Sequence, residues 1–226
     1  MRAIMAGMEP HGERVREPMP EDLALRCVCG RLRGVAHDVS PSVTSRVICD
    51  CYHCRLYAHF LGRADAILDA DGGTDAVQLS PRCVEITEGR EHLGLMRLTD
   101  RGGLRWYARC CKTPLAITLA SPGVPFVGIN HLFVDRESSG PSLEPWFGPV
   151  RARVNTRVAR GRPRPPRATL GALFLKVVRL AWLMIGWRLR GDHRRSPFFD
   201  PATGRPLLEP ERPTEAELAP ARAALG

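Results

Sequence analysis

Three cysteines within six residues are the chain's strongest sign of chemistry. Cys49, Cys51 and Cys54 form a C-x-C-x-x-C pattern, called the central cluster below. Thiolates are strong ligands for zinc, and ligands this close in sequence can converge on one ion through a tight turn. Such near neighbours rarely reach the Cα separation that a disulfide requires. The pattern therefore indicates a metal site rather than disulfide bridges.

Two further cysteine pairs flank the central cluster. Cys27 and Cys29 lie in residues 23–33, where apolar residues alternate as in a β-strand, so both thiols are expected on one face. Cys110 and Cys111 follow an aromatic segment that is also typical of a strand. Together these four cysteines, the outer cluster, predict a closed structural zinc site. The alternative is that they are buried thiols that pack as small hydrophobic residues.

The adjacency of Cys110 and Cys111 sets a condition on this site. Neighbouring side chains of an extended strand face opposite ways. Either the backbone turns sharply there and both thiols join the outer cluster, or only one of them does. In the second case the other thiol approaches the central cluster.

The central cluster offers only three thiolates, which fits a zinc ion with one open position. Such an ion can bind a substrate thiolate or polarise an oxygen. The alternatives are a second structural metal or reduced thiols without a metal. His53 lies inside the motif and can supply a proton or a hydrogen bond near the metal. The candidate catalytic residues are Cys49, Cys51, Cys54 and His53.

Short β-like segments separated by turns predict a mostly β domain over residues 21–150. The segments are residues 23–33, 35–39, 46–48, 76–79, 84–87, 93–98, 104–109, 113–118 and 126–134. Residues 55–61 suit a helical turn. Residues 1–20 are interpreted as a flexible tail. This tail lacks the apolar run of a secretory signal, so a reducing, cytoplasmic location is expected.

The C-terminal third carries the positive charge. Residues 151–195 contain twelve Arg and one Lys against one Asp, whereas the whole chain has a net charge of +9. Residues 151–168 read as a basic, proline-rich linker, 169–192 as an amphipathic helix, and 193–226 as an extended tail.

The predicted helix has several candidate partners. Lys176 and Arg179 lie mid-helix, which disfavours a transmembrane span. Contact with the β domain or with a second copy of the chain is expected, and peripheral membrane binding is the alternative because Trp182 and Trp187 suit a lipid headgroup boundary. The basic linker lacks interleaved aromatic residues, so nucleic acid is not the expected partner.

The three cysteine blocks, in this order, resemble the glutathione-dependent formaldehyde-activating enzyme family, which includes centromere protein V-like proteins. The matching stretches are residues 27–30 (CVCG), 49–55 (CDCYHCR) and 111–115 (CKTPL), and the resemblance covers about residues 23–134. It implies an Mss4-like β fold, with a C-terminal helical extension in this chain. It also implies a structural zinc held by Cys27, Cys29 and Cys111, and a second zinc at the central cluster.

Two departures mark the chain as a divergent branch of that family. The family's remaining structural ligand falls at Ala108, for which Cys110 is the substitute, and Lys112 replaces the usual glycine. The resemblance implies a carbon–sulfur lyase that acts on a small thiol adduct, with glutathione as a co-substrate. The competing interpretation is a non-catalytic zinc module whose basic helical extension binds a membrane surface, a partner protein or nucleic acid.

Overall fold

Two β-sheets organise the computed structural model, which describes residues 22–156 and 170–225. The smaller sheet has the order β1-β2-β5 and the larger has the order β10-β3-β4-β9-β8-β7-β6. All paired strands are antiparallel except β10 and β3. The strands are β1 Asp22–Arg26, β2 Arg33–His37, β3 Ser45–Cys49, β4 Thr74–Leu79, β5 Val84–Glu88, β6 Leu93–Met96, β7 Leu104–Ala108, β8 Thr113–Thr118, β9 Val127–Asn130 and β10 Ala152–Val154.

One hydrophobic core takes side chains from both sheets. Leu23 and Leu25 of β1 are buried alternately, as their period of two predicts, and they share the core with Trp106 of β7. The prediction of a β-rich fold is confirmed in part, because the sheets dominate but helices make the architecture mixed α/β. The helices are α1 Tyr52–Phe60, α2 Ala64–Ile67, α3 Arg136–Ser139, α4 Glu144–Phe147, α5 Leu170–Leu189 and α6 Glu215–Ala223.

The C-terminal residues are not the extended tail that the sequence predicted. Phe198 is fully buried and its ring lies 4.8 Å from that of Trp106, between centroids. The Glu211 backbone hydrogen-bonds to Leu95 and Arg97 at the edge of the larger sheet. Prolines favoured the prediction of an extended chain, but the burial of apolar side chains such as Phe198 outweighs this preference.

Helix α6 is the second departure in this region. Thr214 and Glu217 form a capping box at its start, and Leu218 and Ala221 are buried against Leu56 of α1. The structured region also extends past the boundary predicted at residue 150, because β10 pairs with β3. The β domain and the C-terminal segment therefore pack against each other.

Helix α5 contacts the rest of the protein along one side. Trp187 is buried, and the Arg179 guanidinium donates hydrogen bonds to the carbonyls of Pro41, Ser42 and Thr44. Within residues 22–156 and 170–225, we find no helix whose length and apolar content suit a membrane crossing. The predicted N-terminal tail and most of the predicted linker lie outside the described residues.

Candidate metal centres

The four sulfurs of the outer cluster have the spacing of a tetrahedral zinc site. They all lie within 4.8 Å of one another. The Sγ–Sγ distances are 3.6 Å for Cys27–Cys29, 3.9 Å for Cys27–Cys110, 3.3 Å for Cys29–Cys110 and 3.8 Å for Cys110–Cys111. Zinc–sulfur bonds of about 2.3 Å in a tetrahedron separate the sulfurs by about 3.8 Å. The structure thus brings these four predicted ligands into a group positioned to bind a metal ion.

A tight turn, not a strand face, places the first pair of thiols. Strand β1 ends at Arg26, and the turn is closed by a hydrogen bond of 2.9 Å from the Cys27 N–H to the Leu32 carbonyl. Gly30 adopts a φ of +79°, which favours glycine. The Leu32 N–H donates to the Cys27 sulfur at 3.3 Å. The expected strand-face arrangement is therefore corrected, because the hydrogen-bonded turn itself brings Cys27 and Cys29 together.

A second turn allows both adjacent cysteines to reach the outer cluster. Lys112 has a φ of +56°, the left-handed region that its glycine counterpart would favour, and its N–H donates to the Ala108 carbonyl at 2.8 Å. Thr113 joins the two turns, because its hydroxyl accepts a hydrogen bond from the Val28 N–H and lies 3.0 Å from the Cys111 sulfur. Of the two alternatives that the sequence left open, the structure shows the sharp turn, which lies between β7 and β8.

Each sulfur of the central cluster receives a hydrogen bond from an N–H group. Cys51 is the N-cap of α1, and its sulfur accepts from the Cys54 N–H at 3.3 Å. The Asn155 side-chain amide donates to the Cys49 sulfur at 3.4 Å. Both terminal nitrogens of Arg105 lie 3.9 Å from the Cys54 sulfur. These donors stabilise thiolates, and the three sulfurs are close enough to hold one metal ion.

A buried ionic network holds the loop that carries the central cluster. Arg153 of β10 donates to both oxygens of Asp50 at 2.7 and 2.8 Å, and to both oxygens of Asp69 at 2.7 and 3.0 Å. The Asp50 N–H also donates to the Val154 carbonyl at 3.0 Å. Gly73 leaves room for this network, since an added Cβ would lie 2.5 Å from an Asp50 oxygen. The network therefore holds Asp50 in place, and Asp50 lies between the predicted ligands Cys49 and Cys51.

A cavity of about 350 Å³ lies beside the central cluster, and all three of its cysteines line the cavity. The polar residues Thr74, Gln78, Arg105, Asn130 and Asn155 line it as well. Most of the other lining side chains are apolar or aromatic, among them Val47, Tyr57, Ile67, Ala76, Ile117 and Phe126. The central cluster is therefore open on one side to a space that can hold a small molecule.

His53 does not line this cavity. It is exposed in the first turn of α1, with its ring against that of Tyr52 at 5.6 Å between centroids. Partial desolvation and the positive charges of Arg105 and Arg222 lower the pKa of His53, which favours the neutral imidazole. This position does not support the proton-donating role expected from the sequence.

Hydrogen bonding divides the thiols of the central cluster into two kinds. Hydrogen bonds from Cys49 and Cys54, and then from the Cys54 N–H, hold the pKa of Cys51 far below its usual value. The hydrogen bond with Cys51 raises the pKa of Cys49, and the hydrogen bond with Cys49 raises that of Cys54. Without metal, Cys51 is therefore the thiol of this cluster that ionises most readily.

Metal binding at the central cluster is expected to release about two protons at pH 7. Cys51 is already ionised, whereas Cys49 and Cys54 must lose their protons because their pKa values are raised. Affinity should therefore rise with pH across the neutral range. Calorimetry in buffers of different ionisation enthalpy measures the proton count. A pH-independent affinity with no proton release would contradict this assignment.

The fold and these two clusters define a β-rich protein with two candidate metal centres. A family model described as a family of unknown function, DUF6151, matches residues 15–211. Because this match spans most of the chain, the protein belongs to the DUF6151 family. No curated protein matches it.

Comparison with solved structures gives a distant likeness. A crystal structure of a Rhodobacter sphaeroides protein, a structural genomics target, aligns with 18% sequence identity and a TM-score of 0.37. The alignment covers 52% of this chain and 95% of that one. A TM-score this low carries no argument about fold or activity.

Proposed function

We propose that the chain is a zinc protein with a structural site at the outer cluster and an open, catalytic site at the central cluster. The observation that carries this proposal is the difference between the two groups. The outer cluster has four sulfurs, whereas the central cluster has three and faces a cavity. Closed tetrahedral sites are structural, and sites with an open position are catalytic.

The activity we propose is that of a carbon–sulfur lyase acting on a small thiol adduct. In such an adduct a carbon bears both a sulfur and a hydroxyl group. The carbon–sulfur bond breaks with its electron pair going to sulfur, the hydroxyl proton leaves, and the carbon becomes an aldehyde. No oxidant or reductant is needed. Zinc bound at the central cluster would hold the sulfur as a thiolate at its fourth position.

The surrounding residues suit a thiolate product. Three thiolates around a divalent cation leave one net negative charge, and a fourth raises it to two. Arg105 is buried, 3.9 Å from the Cys54 sulfur, and its guanidinium offsets part of this charge. Asn155 supplies a further N–H to Cys49. The motifs shared with the formaldehyde-activating family, and the Mss4-like fold they imply, support the same proposal.

The proposal is tested by the rate at which the zinc-loaded protein interconverts a thiol, an aldehyde and their adduct, followed by exchange NMR. Cys51→Ser should lower the catalysed rate by about 100-fold or more, because the open site loses a ligand, while the outer cluster keeps the fold. Cys83→Ala is the control, since Cys83 belongs to neither cluster. Equal rates for Cys51→Ser and the unchanged protein, or no rate above the uncatalysed one, would reject the lyase.

A further inference from the structure

We propose that the cavity beside the central cluster takes a small apolar thiol adduct and not a glutathione adduct. This inference rests on the proposed function, because it names the substrate class of the open site. The residues that line the cavity support it. Apolar side chains such as Ile67, Ile117 and Phe126 form much of the wall beside the uncharged polar residues Gln78 and Asn130, so the lining favours a bound molecule whose body is largely apolar and uncharged.

The charges of the cavity disfavour glutathione. Apart from the cysteines, Arg105 is the only charged residue among the described residues that line it, and its guanidinium is directed at the Cys54 sulfur and stacks on the Tyr57 ring at 4.9 Å. Glutathione carries two carboxylates and an ammonium group. No lining carboxylate can pair with the ammonium, and burying unpaired charge is costly. A thiol without charges avoids this cost.

Among the polar residues that line the cavity, Thr74 has a hydroxyl that could pair with the oxygen of an adduct. Thr74 lines the cavity and is 8% exposed, and its hydroxyl has no hydrogen-bond partner within the described parts of the chain. Buried hydroxyl groups are normally hydrogen-bonded. A thiol adduct has one hydroxyl on the carbon next to sulfur, which supplies such a partner. The site thus combines a place for sulfur, a largely apolar wall and a hydroxyl without a partner among the described residues.

The test uses cobalt-loaded protein, in which a fourth sulfur ligand changes the absorption spectrum. Butanethiol should bind at least about tenfold more tightly than glutathione, because each buried methylene adds favourable transfer free energy. Equal or tighter binding of glutathione would overturn the inference while leaving the open site intact. A spectrum that no thiol changes would reject the open site, and the inference with it.

Two variants sharpen this test. Leu119→Lys places a cation at the cavity and should narrow or reverse the preference for butanethiol, whereas Leu207→Lys should not, since Leu207 is equally exposed, at 41%, and does not line this cavity. Thr74→Val should weaken binding of the butanethiol–formaldehyde adduct about tenfold and leave butanethiol itself unchanged. Equal effects of Thr74→Val on both would refute the role assigned to the hydroxyl.

We also infer that the exposed face of helix α5 binds an anionic lipid surface. Large apolar side chains on this helix are half or more exposed: Phe174, Leu175, Val177, Trp182, Ile185 and Leu189. At 100° per residue they span about 160° of the helix circumference, and Trp187, which is buried, lies outside this arc, while Arg179, which binds the domain, lies about 40° beyond its edge. An apolar face of this size in water indicates an interaction site.

The positive charge near α5 favours an anionic membrane over a second copy of the chain as the binding partner of this helix. Four exposed arginines lie at and just after the C-terminal end of α5: Arg188, Arg190, Arg194 and Arg195. Pairing two copies through α5 would bring these charges toward those of the other copy, whereas an anionic surface attracts each Arg near it. The Arg179 contacts with Pro41 and Ser42 hold the middle of the helix alongside the domain. This geometry suits a helix that lies in the plane of the interface.

Co-flotation of the full chain with vesicles tests this inference. Binding is expected when about a third of the phosphatidylcholine is replaced by phosphatidylglycerol, and it should fall with added salt. Phe174→Ser with Trp182→Ser should lose at least about tenfold in affinity. Leu119→Ser with Leu207→Ser, exposed apolar positions outside α5, should bind normally. Absence of flotation, or a dimer that the α5 variant disrupts, would overturn the inference.

Discussion

Cys27→Ser is expected to unfold the protein or to leave it with almost no stability. Cys27 is fully buried, and its sulfur lies 3.9 Å from that of Cys110, 83 residues away. Structural zinc contributes about 10–16 kcal/mol of apparent binding free energy in small zinc domains, which matches or exceeds a typical folding free energy of about 5–15 kcal/mol. Thermal unfolding followed by circular dichroism, with zinc analysis of each sample, measures the effect.

Cys83→Ser is the matched control for this prediction. Cys83 is also a buried thiol, but it lies outside both clusters. Its replacement should cost about 1–3 kcal/mol, the usual penalty for burying an unpaired hydroxyl. If Cys27→Ser and Cys83→Ser lower the free energy of unfolding equally, the outer cluster does not hold a structural metal.

Arg153→Met is expected to destabilise the fold by about 3–5 kcal/mol, because it leaves the buried carboxylate of Asp50 without its partner. The Arg153 side chain is fully buried between Asp50 and Asp69. The double variant Arg153→Met with Asp50→Leu should recover much of the loss, since an apolar pair can replace a buried ion pair. Urea unfolding of both variants measures these free energies.

The pH dependence of Arg153→Met provides a second check. Burial raises the pKa of Asp50, and in the unchanged protein the charge of Arg153 opposes this effect. Without Arg153 the carboxyl group should take up a proton at higher pH. The penalty of the substitution should therefore shrink as the pH falls, because a neutral carboxyl group costs less to bury. A penalty that grows at lower pH would contradict the assigned role of the ion pair.

The sequence was sufficient to identify the two cysteine groups, because their members lie in short local motifs. It could not decide whether Cys110 and Cys111 share a site. That depends on a left-handed turn at Lys112, a residue type that does not favour this conformation. The interpretation of Cys27 and Cys29 as part of a strand failed for a similar reason, since backbone hydrogen bonds close a turn there.

The residues that surround the central cluster were missed because they come from distant segments. Arg105 belongs to β7, and Arg153 and Asn155 follow the boundary predicted at residue 150. In the sequence, only Asp50 indicated these residues, because a carboxylate between two candidate ligands needs a cation as its partner when it is buried. The burial of Phe198 and Phe199 was likewise not predicted, because the nearby prolines favoured an extended tail. Two adjacent aromatic residues are, however, uncommon in an exposed tail.

Metal analysis of the purified full-length protein tests the central claim most directly. We predict two zinc ions per chain, one retained and one removed readily by a chelator, because the outer cluster closes around its ion and the central cluster is open. Removal of the second ion should leave the circular dichroism spectrum unchanged. Protein that is folded and contains no bound metal, with all its clustered thiols reactive toward a thiol reagent, would contradict the account.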